Sequence, residues 1–74
     1  MQFNYRKLLG RITEKTGTQA KFAQQIELSE RSVSLKLNGK IAFKQDEIVR
    51  AAKVLEIPRE EIGSYFFEQE VQSA

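Results

Sequence analysis

The sequence predicts an all-α domain built from five helices. Two observations carry this. Apolar residues recur at i, i+3, i+4 and i+7, and period-two alternation is absent over any useful length. Residues that start and stop helices then fall at the ends of each periodic stretch.

The first segment runs from about Tyr5 to Thr16, with Tyr5, Leu8, Leu9 and Ile12 as one apolar stripe and Gly17 in the position of a helix-ending glycine. Thr18 is an N-cap for the second segment, whose buried face is Phe22, Ala23 and Ile26. Glu27-Leu28 is a very short connection. Ser29 caps a third segment over Glu30 to Asn38, with Val33 and Leu37 four apart, and Asn38-Gly39 ends it. Lys40 to Lys44 reads as a loop anchored by Ile41 and Phe43. The fourth segment spans about Gln45 to Leu55 with Ile48, Ala51, Ala52 and Leu55 inward. Pro58 opens a fifth, Glu60 and Glu61 complement its positive end, and Gly63 is expected to stop it. Residues 1–67 form the expected domain, and 68–74 a flexible C-terminal tail.

Composition narrows the function. A domain of 74 residues buries only roughly 60% of its unfolded surface, which leaves little room for a catalytic cleft. With no cysteine and no histidine, disulfides, thiolate metal sites and the commonest general base are absent. Asp46 with Glu47, and Glu60 with Glu61, are sequence neighbours that diverge around a helix axis. The expectation is a protein that is not an enzyme and needs no cofactor or small-molecule ligand. No run approaches the roughly 20 apolar residues of a membrane span, and the first residues lack a hydrophobic signal region; the expected location is the cytoplasm, with no membrane partner.

The net charge of +2 is unevenly spread. Residues 1–44 hold nine Lys or Arg against three Asp or Glu, a balance of +6; residues 45–74 hold three against seven, a balance of −4. Such asymmetry suits one face made for an anionic partner, and equally suits ordinary solvated surface.

Two helices joined by about three residues must cross steeply, which is the geometry of a helix-turn-helix. The stretch from Thr18 to Lys40, with Thr18-Gln19 opening one helix, Phe22-Ala23 within it, Leu28-Ser29 at the turn, Val33-Ser34 in the next helix and Asn38-Gly39-Lys40 closing it, resembles the Cro/CI-type (lambda-repressor-like) helix-turn-helix family of phage and bacterial regulators. The resemblance covers residues 5 to 62, and includes Ile48, Ala52, Leu55, Ile57 and Pro58; Tyr65-Phe66-Phe67 looks like the ending of short phage proteins of this class.

That resemblance implies a sequence-specific regulator of transcription, a Cro-like repressor reading a double-stranded DNA operator, as a homodimer at least on DNA. Glu30, Arg31 and Ser32 would point at base edges from the start of the recognition helix, with Arg31 paired to guanine O6 and N7 and Glu30 either accepting from cytosine or ordering Arg31. Gln19 would meet a phosphate or a base edge at the first turn of the second helix. Ser34 and Leu35 lie one turn further on, with Leu35 against thymine methyls or against a neighbouring helix. Thr18, Lys36, Asn38, Lys40 and Lys44 would contact phosphates. Tyr65, Phe66 and Phe67 would form a dimer patch or close the core of their own chain. A different class of function, a protein-interaction module such as an antitoxin, would use the acidic rear and the aromatic segment instead.

Two positions depart from the family pattern. Glu27 stands where a turn glycine is usual. Lys36 stands where an aliphatic residue is usually buried; either its stem is buried with the ammonium reaching water, or the helix is rotated.

Overall fold

The computed structural model describes residues 3–69. Helices run α1 Arg6–Thr16, α2 Gln19–Gln25, α3 Glu30–Leu37, α4 Gln45–Val54 and α5 Ile62–Phe66, with a single 3₁₀ turn, Arg59–Glu61, leading directly into α5. The domain is all-helical as the periodicity predicts; among the described residues the only extended pairing is one antiparallel bridge between Phe3 and Gln69, reinforced by the Asn4 N–H donating to the Glu68 carbonyl at 2.6 Å. The segment expected as a tail thus begins with two residues that pair with the start of the chain; 70–74 lie outside the described residues.

The apolar stripes meet in one core. Leu8 and Ile12 of α1, Phe22, Ala23 and Ile26 around α2, Val33 of α3, Ala51 and Leu55 around α4 and Phe66 of α5 are almost completely buried. Leu9 is half-buried. Leu28 and Leu37 are half-buried against the core.

Helix ends explain how so short a chain turns so often. Thr18 Oγ1 accepts from the Lys21 N–H, and Ser29 Oγ from the Ser32 N–H. Three helices close with the same double bond pattern. After α2, the Glu27 and Leu28 N–H groups donate to the carbonyls of Gln24 and Ala23; after α3, Gly39 and Lys40 donate to Lys36 and Leu35; after α4, Glu56 and Ile57 donate to Lys53 and Ala52. Each motif needs a residue with positive φ. Gly39 supplies it at 75°, but glutamates supply it at Glu27 (61°) and Glu56 (54°). The turn therefore keeps the shape a glycine would give, at a local cost of about 1 kcal/mol.

The fifth helix corrects one expectation. Gly63 does not end it: α5 continues through Gly63 to Phe66, because Tyr65 and Phe66 must be carried back into the core. Ile41 corrects another. It is 45% exposed, and Phe43 alone anchors the α3–α4 loop, through edge-to-face contacts with Tyr5 (5.6 Å) and Phe66 (5.3 Å).

Candidate nucleic-acid interface

α2 and α3 are separated by residues 26–29, and α3 presents its first turn to solvent. Glu30 and Arg31 are exposed, and Ser32, Ser34 and Leu35 are half-exposed. The Ser29 cap fixes where this turn begins, since its hydroxyl accepts from the Ser32 N–H at 3.0 Å and lies 2.9 Å from the Ser32 hydroxyl. Ser32 therefore shares its hydroxyl with the cap. Gln19 is exposed at the first turn of α2, beside Thr18, whose hydroxyl oxygen is engaged by the Lys21 N–H.

The candidate phosphate contacts divide. Lys40 and Lys44 are exposed on the α3–α4 loop. Asn38 is exposed, but its amide donates to the Ser34 carbonyl at 2.8 Å, closing the last turn of α3. Lys36 does not belong to this group. Its residue is only 4% exposed. Its ammonium lies 2.9 Å from the Glu47 carboxylate and donates to the Ala42 carbonyl at 3.0 Å, 5.9 Å from the centre of the Phe43 ring. The stem is buried as one expectation had it, yet the charge does not reach water, because an acid eleven residues later meets it inside.

Glu47 completes that arrangement by accepting from the Lys44 N–H at 2.8 Å, which caps α4. Burial pushes its carboxyl up. The hydrogen bonds from Lys36 and from the Lys44 backbone, with the charges of both lysines, outweigh burial and hold it below the ordinary carboxylate value. The α3–α4 loop that carries Lys40 is thus tied to α3 by Lys36 and to α4 by Glu47.

Three cations elsewhere are paired with acids. Arg11 pairs with Glu14 at 3.0 Å and Lys15 with Glu56 at 2.8 Å, while Arg50 reaches Asp46 and Glu27 at 3.6 Å each and so ties the turn between α2 and α3 to α4. Lys7 donates to Ser64 and lies over the Tyr65 ring at 4.6 Å. Lys21, Arg31, Lys40 and Lys44 have no carboxylate within 4 Å among the described residues, and neither do Lys53 and Arg59. Lys21 was not among the sequence candidates; its exposed place three residues after the Thr18 cap is the signal that could have found it.

The proposed dimer patch also changes. Tyr65 and Phe66 are 9% and 1% exposed, so they close the core of their own chain, the other of the two expectations. Phe67 is 52% exposed and stacks edge to face on Phe3 at 5.9 Å, itself 40% exposed. With Ile41 these two rim an apolar groove of about 250 Å³, floored by Tyr5, Phe43 and Phe66. Phe3 and Ile41 enter it from segments that the sequence alone does not bring together. No helix among the described residues is long and apolar enough to cross a membrane, and no group of three or more potential metal ligands occurs among them.

A family model described as "Protein of unknown function (DUF739)" matches residues 1–69. No curated protein matches the sequence. Among solved structures, the chain is similar to the solution structure of the modulator of repression (MOR) of the temperate bacteriophage TP901-1 from Lactococcus lactis, at 53% identity over 97% of each chain and a TM-score of 0.80.

Proposed function

We propose, for a chain that belongs to the DUF739 family, a phage regulatory protein that binds double-stranded DNA through α2 and α3 and acts on transcription in a repression circuit. In this reading α3 enters the major groove as a Cro-like recognition helix, with Arg31 and Glu30 toward base edges and Gln19, Ser34 and Leu35 beside them. Lys21, Lys40 and Lys44 hold the flanking phosphates. Two copies meet on a palindromic operator. The observation that carries the reading is the set of four exposed cations on and around α3, Lys21, Arg31, Lys40 and Lys44, with no carboxylate within 4 Å among the described residues. The name of the relative, a modulator of repression, supports the phage regulatory role.

Selection of bound duplexes from random DNA, repeated at two salt concentrations, tests it. A palindromic site held less tightly as salt rises is the expected result. Folded protein that retains no sequence and shows no salt-dependent binding would overturn it.

A second reading has its own observation, the apolar groove rimmed by Phe3, Ile41 and Phe67. Exposed apolar patches of this kind mark protein contacts. The occupant in this reading is a phage repressor protein, in keeping with the relative's name, rather than the toxin of an antitoxin pair. Light scattering separates the readings: a dimer on operator DNA favours the groove as a self-contact, whereas a one-to-one complex with the cognate repressor favours a protein partner.

A further inference from the structure

We infer that Arg6, at the start of α1, is an additional phosphate-contacting residue that extends the DNA-facing surface beyond the helix-turn-helix; the inference rests on the DNA-binding reading above. Arg6 is exposed, and its backbone N–H is already satisfied by Asn4 Oδ1 at 2.9 Å. Its side chain lines an open cleft of about 220 Å³ whose opposite wall is Leu37, Asn38 and Gly39, the end of the recognition helix and the turn after it. That wall runs straight into Lys40. The fold therefore brings a cation from residue 6 beside the segment that follows the recognition helix, a proximity that the sequence separation hides.

The charge of Arg6 is uncommitted. No carboxylate lies within 4 Å of it among the described residues. Glu68 lines the neighbouring cleft on the other side of Arg6, yet forms no ion pair with it. The Ser34, Leu35 and Lys36 carbonyls at the end of α3 are occupied by the Asn38 amide and by the Lys40 and Gly39 N–H groups, and the Arg6 guanidinium donates to none of them. An exposed arginine on the wall of a cleft shared with Leu37, Asn38 and Gly39, the residues just before Lys40, suits a phosphate oxygen of a strand that passes along the end of α3.

A contact of this kind carries affinity without sequence choice. Arg6→Gln should lower the slope of log K against log salt by about 0.9, the loss of one neutralised phosphate, with base preference unchanged. Arg6→Lys should retain the slope, since the point charge is kept. Arg59→Gln, which removes an exposed cation outside the cleft, should also leave it intact. Circular dichroism of each variant separates loss of contact from loss of fold. Wild-type binding with an unaltered slope in Arg6→Gln would overturn the role of Arg6 alone. Absence of salt-dependent binding by the wild-type protein would remove the DNA reading together with it.

Discussion

Lys36 and Glu47 form an ion pair at 2.9 Å with side chains only 5% and 6% exposed, and this pair holds the loop that leaves α3. Removal of one partner strands a charge in the interior, which costs on the order of 3–5 kcal/mol. Lys36→Met and Glu47→Leu should each destabilise strongly in urea titrations, whereas the double variant Lys36→Met/Glu47→Leu should recover most of the loss. Equal and additive losses in the double variant would mean that the two residues do not act as a pair.

The same pair sets an acid limit. Because the folded-state carboxyl of Glu47 lies below its ordinary value of 4.5, its contribution is present above that value and is lost as pH falls through the folded one. Unfolding free energy should therefore drop on acidification below about pH 4.5, and the gap between wild type and Glu47→Gln should shrink over that window. A gap that stays constant to low pH would contradict this.

Glu27 is held at a φ of 61° with only a 3.6 Å, largely exposed contact to Arg50 in return. Relief of the backbone strain is worth about 1 kcal/mol, against well under about 1 kcal/mol for such a surface pair. Glu27→Gly should raise the melting temperature by a few degrees, and a lower value would show that the Arg50 tie matters more than the strain.

Arg31 and Lys40 are both exposed, without a carboxylate within 4 Å among the described residues, but sit in different places on the proposed surface. Arg31→Ala should cost about 1–3 kcal/mol on the preferred site and relax one base position per half-site, while Lys40→Ala should weaken all sequences alike. Binding-site selection on the two variants reads the difference directly; indistinguishable profiles would remove Arg31 as a base reader.

Adjacent phenylalanines at the end of α5 should behave oppositely. Phe66, 1% exposed, should cost about 3–5 kcal/mol on truncation to alanine. Phe67→Ser should leave the melt nearly unchanged while weakening whichever complex, self or repressor, occupies the groove. A melt that collapses in Phe67→Ser would make the groove a part of the core.

Much of this was legible in the chain. Thr18, Ser29 and Gly39 are local signals, read over three or four residues, and each caps or closes a helix as its chemistry predicts. Glu27 was readable as a strained stand-in for glycine. What escaped depends on contacts between distant segments. Lys36 looks like a surface lysine until Glu47 meets it inside. Tyr65, Phe66 and Phe67 look alike, and only the direction of α5 decides that two are buried and one is not. Ile41 gives no sign that it faces Phe3 and Phe67 across a groove. The candidate base readers occupy the exposed turn expected of them, but exposure alone does not identify a base contact.

The bridge between Phe3 and Gln69 brings the two ends of the described residues to one point on the surface, at the rim of the aromatic groove. The same proximity makes the domain suited to circular permutation, with new ends opened elsewhere and the groove rim left as an unbroken connection.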